Sequence, residues 1–222
     1  MPGYRVYGAR GSGSTAVEAA LTLIGAPYEV VERAPFDSAA DAEALAPVNP
    51  MRQVPALVLP SGELMTESAA ILIHLAERHP KAGLAPDAAS PLRPRFLRWM
   101  SFVSAQIYAL YWIRDDPARL AADPAHEAVL LQRTAARIRQ AWATMDAAIE
   151  PAGRFLLGDD ISVLDLYVTV VSRWGPRRQA FCAAAPRLAA IVRAVDAEPR
   201  LADFWRERFP FVDGWEVEAF PD

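Results

Sequence analysis

The sequence predicts an α/β unit with a mixed four-stranded sheet, followed by an all-helical unit. Three observations carry that prediction. Up to about residue 79 the apolar residues alternate between strand-like and helical spacing. A stretch holding four prolines, 80–94, then breaks the pattern. Beyond it, every periodic segment has the helical period.

Residues 4–7 (YRVY) read as a short strand entering a Gly/Ser turn at 8–14. Val17, Ala20, Leu21 and Ile24 recur at helical spacing, with Gly25 at the C-cap position and Pro27 just beyond. Residues 28–32 (YEVVE) form a second strand, and 39–46 a weak helix stopped by Pro47 and Pro50. A hairpin follows: 54–59, the turn PSG at 60–62, then 63–65. An amphipathic helix over 67–79 ends at Pro80. The order β-α-β-α-β-β-α makes the first two strands parallel through a right-handed crossover, and the hairpin adds an antiparallel edge. This is the thioredoxin-like layout.

In the second half Phe96, Trp99, Met100 and Val103 share one helix face. Further helices are expected over 129–149, 162–173 and 186–197. The tail, 209–222, holds aromatics but too many turn residues for a helix. The expected division is a thioredoxin-like domain at 1–79, a linker at 80–94 and an all-helical domain at 95–222.

Composition narrows the chemistry. With 53% apolar and 23% charged residues over 222 positions, the chain can bury a substantial core. The net charge of −4, from 23 basic and 27 acidic residues, gives no electrostatic case for nucleic acid. Cys182 is the only cysteine, which excludes an internal disulfide, a CxxC redox pair and a cysteine zinc cage. The three histidines form no HExxH, so no metal site is expected. Lys81 is the only lysine and no GK[ST] exists for a P-loop. A nucleophile stronger than a hydroxyl therefore has to arrive with a ligand. The N-terminal stretch lacks the apolar run of a signal peptide, and no segment nears the roughly 20 apolar residues of a membrane span. The expectation is a soluble cytoplasmic protein that engages neither membrane nor nucleic acid.

Three features carry candidate chemistry. Pro55 sits where the hairpin's first strand starts and gives up a ladder hydrogen bond. A cis Val54–Pro55 bond would turn the Val54 backbone outward, where it can pair with an extended peptide; a plain strand start is the alternative. Glu67 and Ser68 open the amphipathic helix, whose unpaired N–H groups suit a carboxylate while Glu67 suits an ammonium. Simple capping would use the same residues. The turn at 8–14 (GARGSGS) lets the backbone approach a ligand and aims Ser12 or Ser14 at a helix entry, without the G-x-G-x-x-G dinucleotide fingerprint.

Together these residues resemble the cytosolic glutathione transferases. The matching motifs are NPMRQVPAL at 49–57, ESAAI at 67–71 and GDDISVLD at 158–165. The resemblance implies that Val54 pairs with the cysteinyl backbone of glutathione beside Pro55, that Glu67 and Ser68 take its γ-glutamyl head, and that Gln53 assists. It places Ser12, in YGARGSG at 7–13, as the donor to the thiol, with Ser14 second, Tyr7 third and Arg10 supplying positive charge. Lowering a thiol pKa from about 8.5 by two units takes about 2.7 kcal/mol, within reach of one charge-assisted hydrogen bond and a helix terminus. Tyr108 and Trp112, four apart on one helix face, are the expected wall for an apolar electrophile, with Tyr111 and Arg114 beside them. Ser162 and Asp165 have capping-box spacing, so Asp165 is expected to cap a helix and not to act as an acid. His74 and Cys182 are expected to be structural.

The implied function is a glutathione transferase acting as a homodimer, with glutathione as co-substrate. The alternatives are a transferase-like binding module without turnover and a glutathione-dependent reductase or peroxidase. The retained ligand groups argue against the first, and the lack of an active-site cysteine disfavours a protein-bound mixed disulfide in the second.

Overall fold

The computed structural model describes residues 3–174 and 177–210, with the side chain of residue 177 left undescribed. The tail expectation for 211–222 therefore lies outside the described residues.

The first half runs β1 (Tyr4–Gly8), α1 (Ser14–Ile24), β2 (Tyr28–Glu32), α2 (Ala39–Leu45), β3 (Ala56–Val58), β4 (Leu64–Met65) and α3 (Ser68–Arg78). The sheet order is β2-β1-β3-β4. β1 and β2 are parallel, with Val6 opposite Val30, and β1 and β3 are antiparallel, with Val6 opposite Leu57. The chemical reason is the one read from sequence: a helical crossover joins the parallel pair, and the Pro60–Gly62 turn joins β3 to β4, antiparallel with Leu57 opposite Met65. β3 starts at Ala56, later than expected, because Val54 and the cis-linked Pro55 precede the ladder.

α1 differs from an ordinary amphipathic helix. Every residue from Ser14 to Leu21 is buried, Glu18 included. The helix is covered on one side by the sheet and α3, and on the other by the second half, so its polar residues must find partners inside the protein.

The second half begins with α4 (Arg93–Phe102), two residues inside the expected linker, whose start also holds a 3-10 turn at Pro80–Ala82. Next come α5 (Ala109–Asp115), α6 (Pro124–Ala148), α7 (Val163–Ser172), α8 (Arg177–Ala184), α9 (Pro186–Asp196) and α10 (Ala202–Arg208). Between α4 and α5 the backbone makes a π-helical turn over Val103–Tyr108. Such turns absorb an extra residue and re-aim the side chains that follow. α8 and α10 were not expected: α8 is short and arginine-rich at its start, and α10 has only seven residues.

α7 is the buried centre of this half, with all ten residues enclosed. Its N-terminus carries the expected capping box, Asp165 accepting from the Ser162 N–H at 2.8 Å and the Ser162 hydroxyl at 2.5 Å. One apolar cluster runs from Val6, Leu21 and Leu72 through Trp99 and Ile107 to Leu164 and Val192. The sheet and the helices thus share a continuous core. Cys182 is half-buried against that core.

Candidate active site

A cleft of about 1290 Å³ opens where the sheet meets the helices. Ser12, Gln53, Val54 and Glu67 line one side; Tyr108, Trp112 and Arg114 line the other. Its volume exceeds the roughly 300–1,000 Å³ usual for one small ligand.

Gly11 in the β1–α1 turn adopts φ +70°, and the Phe209 ring lies 3.2 Å from where a Cβ would sit. Only glycine accepts both constraints easily. The second half grips this residue from two directions. The Gly11 N–H donates to the Arg208 carbonyl at 2.9 Å, and the Trp174 indole N–H donates to the Gly11 carbonyl at 2.7 Å. Gly13, at the α1 N-cap, is packed against the Tyr108 hydroxyl, with which any Cβ would collide.

That clamp sets the two serines on different sides of the turn. Ser12 lines the cleft and is 7% exposed. Its Oγ lies 3.2 Å from the Ser14 N–H nitrogen, 3.3 Å from that of Ala9 and 3.0 Å from Ser14 Oγ. Ser14 is fully buried behind it and donates to the Glu18 carboxylate at 2.6 Å. Ser14 therefore does not reach the cleft, contrary to its place as second candidate. Arg10 is exposed and lies outside the cleft lining. Tyr7, half-buried on β1, is also outside the lining.

Gln53 and Val54 reach the cleft through the turn after α2. Asn49 ties that turn, its amide donating to the Gln53 carbonyl at 2.9 Å and its carbonyl oxygen accepting from the Met51 N–H at 3.1 Å. Pro55 itself is buried under the turn. Glu67 holds φ +66° at the head of α3, a left-handed conformation rare outside glycine. Residues kept in such conformations cluster at functional sites. Ser68 is 8% exposed and lies beside the Tyr108 phenol.

On the helical side the π-helical turn delivers Tyr108 to the point where the N-termini of α1 and α3 converge. Burial pushes its phenol up to about 12, against a smaller downward pull from Ser68, so the phenol is neutral in the physiological range. Tyr108 also packs edge-on against Trp174 at 5.0 Å. Trp112 is 40% exposed, with the Arg119 guanidinium over its ring at 4.9 Å. Tyr111 is buried in the core and also lines the cleft. Arg114 is engaged by the Leu131 carbonyl at 2.7 Å. Burial raises the Asp115 carboxyl, with Arg119 and Arg114 pulling the other way.

Sequence reasoning missed Glu18, Trp174 and Arg208. Glu18 had one legible signal, a carboxylate four residues after Ser14 in an otherwise apolar helix. The other two act from distant parts of the chain and left none. Among the described residues no group of three or more His, Cys, Asp or Glu side chains is placed to hold a metal ion, and no helix is long and apolar enough to cross a membrane.

A thioredoxin-like sheet that shares a ligand-sized cleft with a helical layer defines a two-part architecture. Residues 6–83 match the model of the glutathione S-transferase N-terminal domain. The uncharacterized GST-like protein YncG of Escherichia coli K12 is 33% identical over 203 residues, covering 90% of this chain and 95% of that protein. A sphingomonad glutathione S-transferase solved in complex with glutathione is 28% identical with a TM-score of 0.71, over 90% of this chain and 96% of that one. A glutathione transferase homologue from Sulfitobacter, solved with bound glutathione, has a TM-score of 0.80 at 24% identity, over 92% of this chain and 97% of that one, and shows the shared fold. The chain belongs to the glutathione S-transferase family.

Proposed function

We propose that the protein binds glutathione in this cleft, stabilises its thiolate with the Ser12 hydroxyl, and promotes attack of the sulfur on an apolar electrophile. The observation that carries the reading is that Ser12, Gln53, Val54 and Glu67, drawn from three separate segments, line one cleft with Tyr108 and Trp112 opposite. Val54 lies ahead of the β3 ladder, so its backbone groups are available to an extended peptide. The N-terminus of α3, with Glu67 and Ser68, supplies N–H groups and a carboxylate for an amino-acid head. Pro55 supports this turn from below.

Ser12 favours thiolate over thiol for a simple reason. Its oxygen faces the N–H groups of Ser14 and Ala9, which occupy its acceptor positions. A hydroxyl so held can donate a hydrogen bond but is a poor proton acceptor. Donation stabilises the charged sulfur and leaves the neutral thiol without equal gain. The proton departs to solvent, and the sulfur attacks the electrophile held beside Tyr108 and Trp112. A carbon–sulfur bond forms as the electrophile's leaving group, halide for an aryl halide, departs to solvent. Positioning and charge stabilisation are the protein's whole contribution. Family membership supports, in the same proposal, a homodimer and a cytoplasmic location.

Ser12→Ala is expected to return the thiol of bound glutathione towards its free pKa of about 8.5 and to slow conjugation of an activated aryl halide about ten- to hundredfold, the worth of one hydrogen bond to a charged group. Thiolate absorbance against pH measures the first, and initial rates the second. A wild-type thiol that titrates at the free value would refute the mechanism.

A further inference from the structure

Glu18 has no part in the mechanism above, yet it is fully buried one helical turn after Ser14, behind the proposed donor. Its carboxylate accepts from the Ser14 hydroxyl at 2.6 Å and from the Arg208 guanidinium at 2.5 and 3.3 Å. Arg208 also pairs with Glu32 on β2. Burial alone would lower the Arg208 pKa, but the hydrogen bonds of Glu18 and Glu32 together raise it. Tyr28 of β2, which burial raises, and Glu207 of α10 also lie near this cluster.

A count of protons fixes the direction of the chain. Each hydroxyl has one proton. An ionised carboxylate only accepts, so the Ser14 proton lies towards Glu18. Ser14 Oγ also accepts from the Ala9 N–H at 3.1 Å and lies 3.2 Å from the Ala9 carbonyl, so one acceptor position remains. With the Ser14 proton directed to Glu18, the 3.0 Å contact between Ser12 and Ser14 is filled by the Ser12 proton, which points away from the cleft. When a thiolate arrives, Ser12 must turn that proton outward. Two hydroxyl oxygens would then face each other at short range unless Ser14 also turns and surrenders its bond to Glu18.

We infer that Glu18, acting through Ser14, is a positioning residue that restrains the Ser12 donor and holds thiolate stabilisation below what the site could otherwise give. The inference rests on Ser12 being the thiol's donor. Glu18 is kept in place by its pairing with Arg208, which ties α1 to α10. The arrangement trades activity for cohesion between the two halves.

The test uses the full chain and glutathione, reading thiolate absorbance against pH. In Glu18→Gln the amide oxygen still accepts from Arg208 while its nitrogen donates to Ser14, taking the acceptor position that held the Ser12 proton. The Ser14 proton turns to the Ala9 carbonyl and the Ser12 proton faces the cleft. Bound glutathione should titrate at lower pH, with about three- to tenfold more thiolate below the midpoint. Ser14→Ala removes the competing acceptor while leaving the Glu18–Arg208 pair intact, and should shift the midpoint the same way. With alanine at position 12, Glu18→Gln should have no further effect. A midpoint unchanged or raised in both single variants overturns the inference. So does a full downward shift that persists without Ser12, because nearby charge alone would then explain it. If Ser12→Ala leaves the wild-type midpoint where it was, the reading of Ser12 itself fails, and the inference falls with it.

Discussion

Replacing Asp165 by alanine is expected to remove about 3–5 kcal/mol of folding stability, read as a lower urea midpoint at unchanged m value. The carboxylate is fully buried and serves three donors: the Leu156 N–H at 2.9 Å, the Ser162 N–H at 2.8 Å and the Ser162 hydroxyl at 2.5 Å. Alanine leaves two backbone N–H groups without an acceptor at the start of a helix that is buried throughout. Each orphaned group costs about 1–3 kcal/mol, and the lost cap about 1 kcal/mol more. Water cannot enter to replace the lost bonds without opening the centre of the helical half. A loss under about 1 kcal/mol would show that the segment relaxes, and that the box is not what holds α7 in place.

The same residue makes a pH prediction of definite sign. Burial pushes the Asp165 carboxyl up to about 6, its hydrogen bonds to Ser162 and Leu156 opposing the shift. The folded pKa is thus above the unfolded value of about 3.9. Its titration then favours the folded state fully below that lower value, and the benefit is lost as pH rises through about 6. Asp165→Asn does not titrate, so its cost relative to wild type should be larger at pH 4.5 than at pH 7.5. Paired urea titrations at the two pH values measure the difference. An equal cost at both would mean that the carboxylate ionises as it does in water.

Most of the fold was legible because apolar spacing reports directly on burial. The strand read at 28–32 is Tyr28–Glu32, and the helix read at 67–79 contains Ser68–Arg78. The π-helical turn was not legible. Over the six residues of Val103–Tyr108, its wider period cannot be told from an α-helix by apolar spacing, yet it sets where Tyr108 points. The cleft residues of 49–57 and 67–68 were found because proline and a helix start constrain the backbone locally. Ranking Ser12 above Ser14 rested on resemblance alone. What separates them physically is the Gly11 conformation and its grip by Trp174 and Arg208, at sequence separations of 163 and 190 residues for the bonds that reach Gly11 and Glu18. No local pattern encodes such contacts.

Arg208→Met should be about as costly as the loss of Asp165, and for a different reason. Glu18 is fully buried while Glu32 is half-exposed, so the two ion pairs are not equivalent. The pair with Glu32 is largely screened by water and is worth about 0–1 kcal/mol. Removing the guanidinium from Glu18 instead leaves a buried charge with only the Ser14 hydroxyl for company, a change that costs about 3–5 kcal/mol in comparable sites. The double variant Glu18→Gln with Arg208→Met removes both charges together. It should recover most of the loss, because the neutral amide retains Ser14 as a partner and methionine fills much of the arginine's apolar volume. Urea midpoints for wild type, the two single variants and the double variant give the coupling energy directly. Strong coupling is the expected result, since the pair joins α1 to α10 across the shared core. Additive single effects would mean that Glu18 is compensated elsewhere and that Arg208 holds the active-site turn only through its backbone carbonyl on Gly11.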